Sequence, residues 1–300
     1  MTALAPQTGQ AFNSVSKYSA TNDTYQTDMR LPTMAVAAGA TQSVTTSLFT
    51  GAKEYEVIKA YEEGGIAKFV DSIDWGWFFF LTKPIFKVMH FLNNLIGNMG
   101  WAIIGLTLII KAILFPLAYK SYVSMARMKE LQPEMEALKE KHGDDRQALQ
   151  QGMMKLYKDK KVNPAAGCLP ILLQIPIFFS LYKVIFVTIE MYHAPFIGWI
   201  HDLSAPDPTS VFPILMGVTM WLQQKLNPAP TDKTQAQIFA WMPWVFMFML
   251  GQFAAGLVIY WVANNTITFI QQYTIMRSQG VKPDIWGNMF GFLRKKKDTA

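Results

Sequence analysis

Residues 101–119 read WAIIGLTLIIKAILFPLAY, an apolar run interrupted by a single charge, Lys111. Nineteen helical residues rise roughly 28 Å, close to the ~30 Å hydrocarbon core of a bilayer. An ammonium near the middle of such a helix costs about 2.5 to 3.5 kcal/mol on insertion scales, so its presence asks for a reason. Two readings are open. Lys111 lies in the half nearer Tyr119, where a long stem carries an ammonium out to the headgroups. The other reading is a hydrated internal surface, and Thr107, one turn earlier on the same face, favours it.

The rest of the composition agrees with a membrane setting. Hydrophobic residues make up 51% of the chain and charged residues 16%, and the long apolar runs all follow residue 75. A water-soluble core does not group them so, which places the chain among integral membrane proteins. The net charge of +6 reads as topology and contact with anionic lipid before it reads as nucleic-acid binding, and no specific nucleic-acid sequence is expected as a partner. Cys168 is the single cysteine, which excludes an intrachain disulfide and a cysteine metal cluster. The N-terminus MTALAPQTGQAFNS has no basic region followed by an apolar run, so no signal peptide is read there.

Residues 1–35 are rich in Ser, Thr, Asn, Gln and Ala without periodicity and are expected to be flexible or loosely packed. TQSVTTSLFT (41–50) is β-rich and EYEVIKAYEE (54–63) suits a short helix. In 78–97, Lys83, Lys87, His90 and Asn94 share one face while Ile85, Phe86, Met89, Phe91, Leu92 and Leu95 fill much of the rest, the pattern of an interfacial amphipathic helix. Residues 121–161 form the main polar insertion, read as a helical hairpin that breaks at His142-Gly143, with Asp144 or Asp145 as cap and a kink at Pro133. Its methionines Met125, Met128, Met135, Met153 and Met154 read first as hairpin core and second as a yielding surface for promiscuous hydrophobic contacts.

Further spans are expected at 168–189, 211–226, 238–251 and 254–276, five crossings with the first. Pro176 should kink the second, Pro213 and Pro243 stand at the beginnings of the two short ones, and short spans thin the bilayer. Lys and Arg crowd the hairpin and Arg294, Lys295, Lys296 and Lys297 of the 280–300 tail, whereas 190–210 has none. The hairpin and C-terminus therefore read as cytoplasmic and residues 1–100 as lying on the opposite side.

The last span repeats the polar theme: Tyr260, Asn264, Thr268 and Gln271 recur at spacings of 4, 4 and 3, and Gln174 and Ser180 add smaller signals in the second span. Interhelical hydrogen bonding is the ordinary explanation. Lys111, however, has no acidic partner inside any span, which points to an open groove. A transporter or channel is the alternative class, but it would normally place carboxylates inside its spans. A hydrolase would need a nucleophile and base, and no GxSxG or HExxH occurs. Glu190, His193, His201 and Asp202 read as an ordinary polar loop rather than a metal cluster, so neither enzyme activity, metal nor cofactor is expected.

The segments DWGWFFFLTKPIFK, GLTLIIKAILFPLAYKSYVSMARMKELQPEMEALKEK, MMKLYKDKKVNPAAGCLPILLQIPIFFSLYKVI, HAPFIGWIHDLSAPDPTSVFPILMGVTMWLQQKLNP and GLVIYWVANNTITFIQQ, running in order from residue 74 to about 279, resemble the YidC family of membrane protein insertases. Residues 41–73 resemble the end of the periplasmic domain of bacterial members. The resemblance implies an all-α polytopic core of five transmembrane helices (74–279) in the bacterial inner membrane, preceded by a remnant of the periplasmic domain (1–73). It implies a groove open to cytoplasm and lipid, whose charge, usually Arg, falls on Lys111, and whose other positions fall on Thr107, Tyr260 and Trp261. Expected partners are nascent membrane proteins, the ribosome, anionic lipids and, as a further candidate, the Sec translocon. The family's first transmembrane helix and most of its periplasmic domain have no counterpart here, so the chain reads as an N-terminally truncated member.

Overall fold

The computed structural model describes residues 1–143, 145–163, 169–227 and 233–281. Asp144, Cys168, residues 228–232 and the C-terminal residues with Arg294 to Lys297 lie outside the described residues. Two units emerge, residues 1–74 with 187–190, and residues 75–186 with the chain from 191 onward.

In the first unit, β1 (Thr2–Pro6) pairs antiparallel with β4 (Thr46–Thr50), and β2 (Asn13–Ser19) pairs with β3 (Thr24–Arg30). Residues 1–35 are thus not the loose segment expected from their composition. Their strands are mostly exposed on both faces, so no alternation of apolar and polar residues betrays them. Cross-strand pairs hold them instead, as where the Tyr18 and Tyr25 rings meet at 4.7 Å. β4 is shorter than the β-rich run at 41–50, because only its last five residues find a partner. Helix α1 (Tyr55–Glu63) buries Ile58, and Phe49, Tyr61 and Phe69 pack edge to face beside it.

The second unit is helical. It comprises α2 (Phe79–Ile96), α3 (Met99–Glu130), α4 (Gln132–His142), α5 (Arg146–Asp159), α6 (Leu169–Val187), α7 (Val211–Leu226), α8 (Lys233–Leu250) and α9 (Ala255–Ser278). The apolar run at 101–119 does not end where its polarity changes. Nothing between Tyr119 and Glu130 breaks a helix, so α3 continues for 32 residues. Pro133 therefore does not kink a hairpin arm; it sits in the first turn of α4, where its missing N–H costs nothing. Asp145 caps α5 as expected, accepting from the Gln147 and Ala148 amides. Helix α8 begins five residues before the predicted span, which leaves Pro243 inside the helix rather than at its start.

Contacts give each helix its direction. From Trp101 toward Tyr119, α3 runs alongside α9 in rising register: an added Cβ at Gly256 would meet Ile103, Lys111 bonds Thr268, Met125 packs on Ile275, and Ala126 on Met276. The two helices are parallel. On α6, Gln174 bonds Tyr260 and Tyr182 packs against Phe253, so α6 runs opposite to α9. Helix α8 likewise opposes α7, with Gln224 bonded to the Phe239 carbonyl and Met247 against Gly217.

At the Trp101 end, residues 191–210 fasten the helix starts. The Asn98 side chain caps α3 through the Trp101 amide and donates to the Phe196 carbonyl. The Ala255 and Gly256 amides, the orphan donors of α9, donate to Ala205 and Leu203 carbonyls at 2.7 and 2.9 Å. Asp202 accepts from the His193 and Ser204 amides and the Ser204 hydroxyl, so this turn employs its carboxylate. Buried Asp207 accepts from Trp199 Nε1, from Thr209 twice, and from the Phe212 amide at the start of α7.

Burial alone would raise the Asp207 pKa, but these donors and the adjacent helix dipole outweigh it and hold the carboxyl below its ordinary 3.8. A depressed folded pKa contributes stability that is present above pH 3.8 and is lost as pH falls through the folded value. Asp207→Asn keeps one acceptor oxygen but sets an amine against a donor. It should cost about 1 to 3 kcal/mol and flatten the acid limb of stability below pH 3.8, as thermal unfolding between pH 2 and 7 would show.

Candidate functional site

Lys111 lies midway along α3 and is half-buried. Its Nζ donates to Thr268 Oγ1 at 2.7 Å, and Thr268 in turn donates to the Asn264 carbonyl at 2.7 Å. The cation thus leans on a neutral hydroxyl. Among the described residues no carboxylate lies within ion-pair distance of it. One turn up the same stripe Asn264 is buried, and two turns up Tyr260 is buried and bonded to Gln174 of α6. Lys111, Thr268, Asn264, Tyr260 and Gln174 therefore form one polar line along the α3–α9 and α9–α6 contacts.

Other expected members stand apart from it. Thr107 is fully buried, and its hydroxyl bonds the Ile103 carbonyl of its own helix, a back-bond that satisfies it without Lys111. Trp261, 100° around the helix from Tyr260, packs edge-on to Phe178 and against the Met216, Leu250 and Val258 cluster. Ser180 is buried on α6, and its hydroxyl has no hydrogen-bond partner.

Two polar residues of α9 escape a search by spacing, because each is the second of a doublet. Asn265 is buried with its Nδ2 unpartnered, as is Asn264 Oδ1. Gln272, not Gln271, is the fully buried glutamine, and it donates to Asn227 Oδ1 at 2.9 Å, while Gln271 Oε1 has no partner. Orphaned buried polar atoms cost about 1 to 3 kcal/mol each, and three of them, on Asn264, Asn265 and Gln271, fall on α9.

The helical unit also exposes many apolar side chains. On α8, Ile238, Trp241, Val245, Phe248 and Met249 make a continuous outward stripe, and α3 exposes Leu108, Ile109, Ile113 and Phe115. Helix α3 alone, among the described residues, is both long and apolar enough to cross a membrane by length and composition, with the shorter α6 segment Leu172–Val187 apolar too. Helix α2 shows three faces: Thr82, Ile85, Phe86 and Met89 buried, Lys87 and Asn94 polar and exposed, Phe80, Phe91 and Leu95 apolar and exposed.

The hairpin methionines are largely core. Met125 is buried against Tyr122 and Ile275, Met135 against Leu131 and Val162, and Met128 and Met153 pack onto these clusters; Met154 alone of the five is exposed. The hairpin closes through Tyr157 to Met135 Sδ and through Lys160 to Glu134 at 2.6 Å.

The profile of the family described as the 60Kd inner membrane protein matches residues 91–282, and that of the YidC periplasmic domain matches residues 1–88. A membrane protein insertase YidC of Ruegeria pomeroyi is 66% identical over 323 residues, covering 99% of this chain and 53% of that protein. The one from Dinoroseobacter shibae is 66% identical, covering 100% and 54%, and the one from Jannaschia sp. is 60% identical, covering 99% and 54%. The chain thus spans about half the length of these relatives. A crystal structure described as an active YidC insertase with its first transmembrane domain resolved superposes with a TM-score of 0.56 at 26% identity, over 78% of this chain and 58% of that one.

Proposed function

This chain belongs to the family of the YidC membrane protein insertases, and from that premise we propose that it inserts nascent membrane proteins into a bacterial inner membrane without covalent chemistry. A polar segment of the client enters beside Lys111 while its apolar helix passes into lipid along exposed α3 and α6. The carrying observation is the cation held by a neutral hydroxyl. A lysine kept for structure alone would be paired with a carboxylate or drawn out to the interface. This one is tethered inward to Thr268, where charge remains available to an acidic guest. Each polar residue that meets such a stripe crosses less hydrocarbon.

The alternating directions of α3, α6, α7, α8 and α9 support five crossings, with the hairpin end cytoplasmic. The three-faced α2 suits the interface, its apolar exposed face toward lipid. The ribosome is the proposed cytoplasmic partner, through the hairpin cations and the basic tail, and a Sec translocon is a candidate partner beyond it.

Single cysteines at Ser47 and Gln150, in a Cys168→Ala background, should react with an impermeant maleimide from opposite sides. Labelling of both from one side would overturn the five-span arrangement. Reconstituted into liposomes, the chain should raise client insertion without solute flux or peptide cleavage. Flux without insertion would favour a transporter or channel.

A further inference from the structure

The face of α3 turned away from Lys111 leads to a separate feature. Where the apolar run ends, a cavity of about 200 Å³ is lined by Tyr119, Lys120, Val123, Ser124 and Arg127 of α3 and by Lys161 just after α5. Lys120 and Arg127 are two turns apart on one face. Lys161, with φ of 54°, turns back toward them after the helix end. Ser124 Oγ fixes this turn to α3 by donating to the Asn163 carbonyl at 3.1 Å, and buried Val162 anchors it in the Leu131–Met135 cluster. None of the three cations has an ion pair or hydrogen bond among the described residues. Three unpaired positive charges around one polar and apolar hollow call for an anion.

What leads into the hollow selects the anion. At helical spacing on the same face of α3 stand Ile109, Ile113 and Pro116, all exposed, then Lys120 and Arg127. An exposed apolar track ending in a cationic pocket is the shape of an amphiphile, not of a free phosphate or an RNA backbone. Cations at this level, at the end of a span, meet headgroup phosphates. We propose that this pocket binds the phosphate of one anionic phospholipid, whose acyl chain lies along Ile113 and Ile109. The inference rests on the membrane reading of α3, not on the groove at Lys111.

The test is native mass spectrometry of the full chain in neutral detergent, titrated with dioleoyl phosphatidylglycerol or dioleoyl phosphatidylcholine. One phosphatidylglycerol should bind tightly and phosphatidylcholine should not. Lys120→Gln/Arg127→Gln/Lys161→Gln should weaken that binding about 100-fold, taking three cations near the surface. Lys141→Gln/Lys155→Gln/Lys158→Gln removes as much charge from exposed positions and should change it less than about threefold, with both variants matching the parent in thermal midpoint. Lys111→Met should leave lipid binding intact, so failure of the groove and failure of the pocket are told apart. Equal losses in the two triple variants would overturn the proposal. So would displacement of the lipid by equimolar inorganic phosphate, or pocket-dependent binding of a short RNA duplex in place of the lipid.

Discussion

Gly100→Ala should lower the stability of the helical unit by about 2 kcal/mol, although alanine is ordinarily the better helix former by up to ~1 kcal/mol. An added Cβ at this position would stand 2.9 Å from Phe196 Cε2 and closer still to Cδ2 and Cγ. The ring cannot easily retreat. Phe196 is buried, packs edge-on to Trp101 at 5.4 Å, and is held by its amide on the Ile200 carbonyl and its carbonyl on Asn98. Gly105 in the same helix is the control, since an added Cβ there meets Leu92 at an ordinary 3.5 Å. Gly105→Ala should be neutral or stabilising. Thermal unfolding in detergent should separate the two, and Phe196→Ala should relieve much of the Gly100→Ala penalty, a coupling of more than ~1 kcal/mol. Equal midpoints for both glycine variants would mean that Phe196 does not close this end of the unit.

Lys111→Arg should retain most insertion, because the charge remains and both stems reach Thr268, although the planar fork meets a single hydroxyl less well than an ammonium does. Lys111→Glu should be the most damaging substitution for clients whose translocated segment is acidic. Two like charges about 4 Å apart repel by about 4 kcal/mol at an effective dielectric near 20, so even a partial encounter costs tenfold in yield. Thr268→Val removes the tether and keeps the shape. It should lower insertion less than Lys111→Met, since the ammonium persists and only its position is released. Insertion yield at matched protein levels, with each variant in the same liposomes, is the readout.

The parts of this site that were legible in the sequence were those where one residue contradicts its surroundings. Lys111 is such a residue, and the four-residue spacing from Tyr260 through Asn264 to Thr268 places the partner stripe because an α-helix repeats on that period. Asn265 and Gln272 were hidden because each follows a like residue, and only packing decides which of a doublet turns inward. Thr107 shares a face with Lys111, but spacing cannot show that its hydroxyl is already spent on the Ile103 carbonyl. The helices were legible by length, whereas their ends were not. Helix α3 outruns its apolar run because no breaker stands between Tyr119 and Leu131, and α8 starts among polar residues that a hydropathy reading assigns to a loop. The strands of residues 1–35 were invisible for the opposite reason: small exposed sheets carry pairing without a buried face.

The central claim is that the Lys111 charge receives polar client segments. It is tested most directly by two clients that differ only in the charge of the translocated segment, one acidic and one neutral. Their insertion yields are compared for the unaltered chain and for Lys111→Met at equal protein levels. The acidic-to-neutral ratio should fall at least tenfold in Lys111→Met, about 1.4 kcal/mol of lost attraction, and should hold in Lys111→Arg. An unchanged ratio in Lys111→Met, with both clients inserted as before, would show that the lysine merely anchors its helix and would contradict the mechanism.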